Sequence, residues 1–369
     1  MSTLDELRVH LDGLDRRLLE LIDERQRTSR EIARVKRATG YPTRDYLRER
    51  QVILGARARA EALGVSPEIA EALMRLLIRS SLTTQEHASV LAHGAGSGQR
   101  ALVIGGAGKI GGWFAQFLGS QGFAVEIADP QRPEGLPGID DWAASDLSHD
   151  FIVVATPLAA TNAILTALAG RRPSGVVFDV ASIKTPLRSG LKALCDAGVR
   201  AGSVHPMFGP DTELLSGRHV IFIDLKAGDS LERVRALFAP TMVEQVVMGL
   251  EEHDRLIAYV LGLSHALNIA FFTALAASGE DAPRLVQMSS TTFDAQFDIA
   301  SKVAEESPEL YFEIQRANDF GAESLNALAR AVESIRTAVA SNDKAGFAAL
   351  MEQGLAYTRG RRTLSDRRA

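Results

Sequence analysis

Leu4, Leu7, Leu11, Leu14, Leu18, Leu21 and Ile22 recur at steps of three and four, the repeat that lays an apolar stripe along one face of a helix. The pattern predicts a single helix over 4–39, about 54 Å long at 1.5 Å per residue and so longer than a small globule needs. Gly40 and Pro42 in "TGYPTRD" interrupt it. A second helical stretch runs from about Asp45 to Leu63. Ser66 as N-cap and Pro67 in the first helical position open a third, ending near residue 88. The glycines of "AHGAGSGQR" then read as a flexible linker over 91–99.

Beyond residue 100 the texture changes. "ALVIGG", "AVEIAD", "FIVVATP", "GVVFDVAS" and "HVIFIDL" are short apolar runs separated by helical or loop segments, the signature of a parallel sheet covered on both faces. From about Glu251 the pattern is helical again. "DRLIAYVLGLSHALNIAFFTALAA" is the most hydrophobic helix in the chain, apolar nearly all round, as expected of a core or subunit interface. No internal repeat is present. The expected architecture is multidomain: an all-α three-helix domain over 1–90, the linker, an α/β Rossmann-type domain over 100–245, and an all-α substrate and dimerisation domain over 246–369.

The 369 residues, 46% hydrophobic and 24% charged, are an ordinary globular mixture able to bury a core. A net charge of −5 makes no electrostatic case for nucleic acid or an anionic membrane as partner. Cys195 is the only cysteine, which excludes an intrachain disulfide and a multi-cysteine metal site; no metal is expected. The lone thiol, an N-terminus charged from its fifth residue and the expectation that no uncharged run is long enough to span a bilayer point to the cytoplasm.

Gly106, Gly108 and Gly111, with Lys109 and Ile110 between the last two, stand at the spacing G-x-G-x-x-G between an apolar run and a helix. The expectation is that the first glycine makes a tight turn, the second lets a pyrophosphate approach the backbone and the third lets the helix pack closely. The helix start then offers free N–H groups and a positive dipole end. Asp129 closes the next apolar run near the offset at which a carboxylate meets a ribose 2′-hydroxyl and repels a 2′-phosphate. NAD is the expected cofactor, although Arg132 lies close by.

"SVHPMFGPD" places His205 after a strand, among prolines and glycine that would hold it rigidly. An imidazole suits proton transfer near neutrality. "HPMFGPD", the upstream "DVASIK" and "EHDRLIAYVLGLSH" resemble the signature of the prephenate dehydrogenase family, over roughly residues 100–360. The resemblance implies that His205 accepts the ring-hydroxyl proton while hydride leaves for NAD and the side-chain carboxylate is lost as CO2. It further implies that Ser182 orients His205, that Lys184 lines the cleft and that His265 meets the substrate. Lys302 stands where the family usually carries a substrate-clamping arginine, and Leu261 where relatives often have a polar residue. Lysine keeps the charge but lacks the bidentate fork.

The leading helices carry charges that amphipathicity alone does not require. Arg25 and Lys36, eleven residues apart, fall within about 20° of each other on one helix face. Asp45, Arg48 and Glu49 cluster on the next helix; Ser81 and Gln85 share a face of the third. With Arg8, this set resembles the active site of the all-helical AroQ class of chorismate mutase, across residues 4–88. Arg8 lies about 100° around the helix from Arg25, and the resemblance implies that it serves the partner subunit of an intertwined homodimer. The implied chemistry needs no nucleophile. Arg8, Arg25 and Arg48 fold chorismate by its carboxylates, Lys36 and Gln85 donate to the breaking ether, Glu49 and Asp45 hold the ring hydroxyl, and Ser81 holds a carboxylate. The chain would then make prephenate from chorismate and oxidise it to 4-hydroxyphenylpyruvate, in tyrosine biosynthesis. Two alternatives stand beside this: arogenate or 4-amino-4-deoxyprephenate as the oxidised substrate, or a helical half reduced to a dimerisation or sensing module.

Overall fold

The computed structural model describes residues 3–132 and 138–366. Helix α1 spans Leu4–Thr39 and opens with a reciprocal capping box between Thr3 and Glu6. It ends at Gly40, whose φ of 68° is the left-handed conformation that closes a helix. Helix α2, Tyr46–Leu63, starts from Asp45, whose carboxylate accepts the Arg48 N–H. Helix α3, Pro67–His93, opens on the Ser66 cap and runs past its expected end. Within α1 only Ser29 and Ala33 are buried. The stripe Leu4, Leu7, Leu11, Leu14, Leu18 and Leu21 is exposed, so none of the described residues covers it.

The expected flexible linker is instead a packed crossing. Gly96 is buried and donates its N–H to the Gln121 carbonyl at 3.0 Å. A side chain on Gly94 would collide with the Gln121 backbone, and one on Gly96 with Phe123. These glycines serve close approach; composition alone does not separate that use from flexibility.

The central sheet contains β1 Arg100–Ile104, β2 Ala124–Ala128, β3 Gly138–Ile139, β4 Phe151–Val154, β5 Val176–Asp179, β6 Ala201–Pro206, β7 His219–Ile223 and β8 Glu244–Met248, in the order β3-β2-β1-β4-β5-β6-β7-β8. The first six pair in parallel, giving the 3-2-1-4-5-6 order of a dinucleotide-binding fold with its switch point between β1 and β4. The all-parallel expectation fails at the edge. β7 runs antiparallel to β6, and β8 follows β7. One face is packed by Phe114, Phe117, Phe178, Phe222 and Phe238, the other by Leu102, Ile152, Leu165, Leu168 and Leu191. The covering helices are α4 Lys109–Ser120, α5 Leu158–Arg171, α6 Arg188–Asp196 and α7 Ser230–Leu237.

Helix α8, Leu250–Ile257, passes through a π-helical segment, Ala258–Leu263, into α9, Ser264–Ala277. Such widenings of a helix cluster at functional sites. Helices α10 Ala282–Gln287, α11 Thr291–Ala304, α12 Pro308–Ala317, α13 Gly321–Ala340 and α14 Lys344–Asp366 complete the domain. The expectation that no run is long and apolar enough for a bilayer does not hold. Leu250–Ala277 meets both criteria, and only 11% of its most apolar window is buried. Its interior polar groups, His253, Asp254 and Asn268, are buried against neighbouring helices and loops.

Candidate active sites

The three leading helices enclose a cavity of about 670 Å3. Arg25, Lys36, Asp45, Arg48, Glu49, Ser81 and Gln85 all line it, between apolar walls that include Ile32, Val52, Ile78 and Leu82. The Arg25 guanidinium donates to Ser81 Oγ at 2.5 Å and to the Leu77 carbonyl at 2.7 Å, which ties α1 to α3. Lys36 Nζ donates to the Thr43 carbonyl at 2.7 Å and keeps two further N–H donors. Gln85 Nε2 donates to Ser29 Oγ at 3.0 Å, and its buried Oε1 has no partner. The cavity therefore presents cations and amide groups whose bonding capacity is only partly used. Arg8 is not among them. Its side chain is exposed and, among the described residues, pairs with Asp5 in the first turns of its own helix.

Two bonded chains moor this cavity to the sheet domain. Glu49 is gripped through both oxygens by Arg44, at 2.9 and 3.1 Å, and Arg44 also donates to Ser216 Oγ at 2.6 Å. Glu86, next to Gln85, is buried and accepts the N–H groups of Leu215 at 2.7 Å and Met242 at 2.6 Å. Burial pushes its carboxyl up from the usual range. Leu215 and Ser216 belong to the loop that leaves His205, so one connection touches both candidate sites. Arg44, Ser29 and Glu86 were not singled out from the sequence, since each acts through a partner on another element.

At the switch point the glycine turn has the expected form, displaced by one residue. Gly105, not Gly106, takes the left-handed conformation, with φ 85°. A Cβ on Gly106 would meet Ile127 at 2.7 Å, and one on Gly111 would strike the Gly105 carbonyl. Ala107, Gly108 and Lys109 are exposed at the start of α4, and Ile110 is half-buried behind them. Asp129 accepts the Ala107 N–H at 3.1 Å and the Gln131 N–H at 2.8 Å. The turn thus joins an open backbone, a helix N-terminus and a carboxylate one strand away, the donor set that a dinucleotide requires.

His205 lies at the end of β6, almost fully buried, and its ring meets His253 of α8. Burial first, then the neighbouring His253 and Lys184, pushes its pKa well below the ordinary histidine value, so the ring is neutral at neutral pH. Three expected roles change here. Ser182 is half-buried and makes no hydrogen bond to His205; His253 occupies the orienting position. Lys184 does not line a cleft. It is completely buried, with Nζ 2.6 Å from Asp179 and 2.8 Å from the Val204 carbonyl, so it braces β5 against β6. Lys302 is exposed in the last turn of α11 without a hydrogen bond or ion pair. His265 stacks on Tyr311 with ring centroids 4.2 Å apart, its Nδ1 buried without a partner. Leu261 is partly buried against the apolar cluster that contains Ile257 and Ile314.

The chain thus carries two separate candidate sites, a cationic helical cavity and, behind it, a nucleotide-binding sheet with a buried histidine. The comparisons with known proteins name both halves. The type II chorismate mutase family matches residues 7–86; the nucleotide-binding and dimerization domains of prephenate dehydrogenase match 137–247 and 250–353. The T-protein of Enterobacter agglomerans is 27% identical over 322 residues, covering 85% of this chain and 82% of its own. A 4-amino-4-deoxyprephenate dehydrogenase of Streptomyces pristinaespiralis is 29% identical over 267 residues, 69% of this chain and 89% of its own. Prephenate dehydrogenase of Aquifex aeolicus, solved with hydroxyphenyl propionate and NAD+, shares the fold at a TM-score of 0.56 and 21% identity, over 71% of this chain and 98% of that one. The chain belongs to the bifunctional chorismate mutase–prephenate dehydrogenases.

Proposed function

We propose that the helical cavity rearranges chorismate to prephenate and that His205 serves the NAD-dependent oxidation of that product to 4-hydroxyphenylpyruvate, in one chain of a cytoplasmic homodimer. The observation that carries the reading is the convergence of Arg25, Lys36, Glu49, Ser81 and Gln85 on one cavity, because a solvated charged face would scatter them. Arg25 and Arg48 hold the substrate carboxylates and so keep the enolpyruvyl group folded over the ring, which removes orientational freedom from the barrier. Lys36 and the free amide N–H of Gln85 donate to the ether oxygen as charge grows on it. Glu49, fixed by Arg44, and the Asp45 oxygen not engaged in capping α2 receive the ring hydroxyl.

Arg8 is supplied by the second subunit. Its exposure, the uncovered leucine stripe beside it and the largely exposed apolar helix Leu250–Ala277 all fit a chain whose faces are completed by a second copy. The free, half-buried Cys195 fits a reducing compartment.

In the dehydrogenase half, Gly106, Gly108, Lys109, Ile110 and Gly111 hold the pyrophosphate and Asp129 the ribose. NAD, when bound, supplies a hydride acceptor. His205 takes the hydroxyl proton, and the ring aromatises as the carboxylate leaves as CO2. His265, stacked on Tyr311, contributes a polar edge to the substrate cleft. Lys302 lies too exposed to act as a carboxylate clamp within its own subunit. That position keeps a second reading open, in which arogenate or the 4-amino analogue is the better substrate; kcat/KM values for the three compounds decide between them.

Paired variants test the two assignments. His205→Asn should abolish NADH formation from prephenate and leave chorismate consumption intact; Arg25→Ala should do the reverse. Full dehydrogenase activity in the first, or full mutase activity in the second, would refute the corresponding site.

A further inference from the structure

His205 is the near end of a buried chain. Its Nδ1 lies 2.8 Å from Nε2 of His253, and Nδ1 of His253 lies 2.6 Å from Oδ1 of Asp254. His253 and Asp254 are completely buried. Asp254 is held further by the Lys184 N–H, at 3.0 and 3.2 Å from its two oxygens, and by the N–H and hydroxyl of Thr185, each 2.5 Å from Oδ2. Burial works to raise its carboxyl, but the bonds from His253, Thr185 and Lys184 outweigh it and hold it below the usual range.

An ionised carboxylate can only accept, so His253 presents Nδ1–H to Asp254. In the neutral ring, Nε2 of His253 is then an acceptor, and His205 must donate its Nδ1–H to it. This leaves Nε2 of His205 with the lone pair. A carboxylate two links away therefore sets the tautomer of the base.

We propose that His253 and Asp254 are positioning residues that form a proton relay with His205. The inference rests on the reading of His205 as the base. When the substrate O–H bond breaks, the proton joins Nε2 of His205. The Nδ1–H bond of His205 breaks in turn, and a new bond forms at Nε2 of His253. His205 ends neutral with its tautomer inverted, and the positive charge rests on His253 against Asp254.

The surrounding charges favour that destination. Lys184, from the connection after β5 and paired with Asp179, discourages a cation on either ring, whereas Asp254 and Asp179 of β5 favour one on His253 and no such group favours one on His205. From α8 come His253 and Asp254; β7 contributes apolar Ile221 opposite His205.

The test compares His253→Gln with His253→Leu, alongside His205→Asn. Glutamine keeps an acceptor for the Nδ1–H of His205 but takes no proton; leucine provides neither function. The relay predicts a loss in dehydrogenase kcat of about 10-fold for glutamine and about 10²–10³-fold for leucine, with KM values for prephenate and NAD within about two-fold. The acid limb of the pH profile should move to lower pH in His253→Gln, because the proton that the pair takes up must then rest on buried His205, beside Lys184, and no longer on His253 against Asp254. Mutase turnover, which uses none of these residues, reports that each variant is folded. Equal losses in the two variants, or an unmoved acid limb in His253→Gln, would overturn the relay. Activity retained in His205→Asn would instead remove the base assignment beneath it.

Discussion

Gln85 shows how much a single donor decides. Its amide donates at any ordinary pH, whereas a carboxylic acid in its place donates only while protonated. Gln85→Glu is therefore expected to turn a nearly flat mutase pH profile into one that rises steadily toward acid, as measured by chorismate loss. At the other site, burial lowers the pKa of His205, His253 and His265. Below the ordinary histidine value of about 6.5 the unfolded chain therefore binds protons that the folded chain refuses. The stability these rings contribute is complete above that value and falls as pH drops toward their depressed values. Urea midpoints at pH 7.5 and 5.5 should show the decline. Spacing puts Gln85 on a face with Ser81 and places His205 in a rigid turn, but the roles of Gln85, His205 and His265 come from the family resemblance. Asp254 and His253 are legible by neither route, because their meaning depends on a strand end about fifty positions earlier in the chain. Lys184 misleads for the same reason: a lysine near a signature motif reads as exposed and functional, and only Asp179 and the Val204 carbonyl reveal a brace.

Helix periodicity and the Ser66 cap place the starts of the leading three helices almost to the residue, while α3 runs on to His93, past its expected end near residue 88. The reversed strand β7, the π-helical segment and the packed glycine crossing are set by tertiary contacts and leave no local mark. The element of greatest consequence is the loop between β6 and β7, moored by Glu86 and Arg44. Ser216→Ala, made inside the dehydrogenase half, should free Arg44 and weaken its hold on Glu49. A several-fold loss in mutase kcat/KM with dehydrogenase kcat unchanged is the expected result. Glu86→Ala leaves the buried N–H groups of Leu215 and Met242 without an acceptor and should cost about 1–3 kcal/mol of stability for each, read from denaturant midpoints. Unchanged midpoints would mean that water replaces the carboxylate.

In the whole molecule, one loop adjoins both candidate sites, and two apolar faces, the leucine stripe of α1 and Leu250–Ala277, are left largely exposed among the described residues. If Arg8 serves the partner's cavity, mixed dimers of Arg8→Ala and Arg25→Ala subunits should regain mutase activity that neither homodimer has, because one cavity per mixed dimer is then intact. If the stripe holds a homodimer, a chain with Leu7→Lys and Leu14→Lys should sediment as a monomer where the unaltered chain sediments as a dimer. The three-part organisation is readable in the sequence because strand and helix textures differ; the mooring between the parts is not, since it consists of single bonds between distant residues. The most direct test of the account supplies the protein with chorismate and NAD alone and follows absorbance at the NADH band. The account predicts NADH in proportion to chorismate consumed, with 4-hydroxyphenylpyruvate as the product. Chorismate left untouched by a preparation that readily oxidises added prephenate would contradict it.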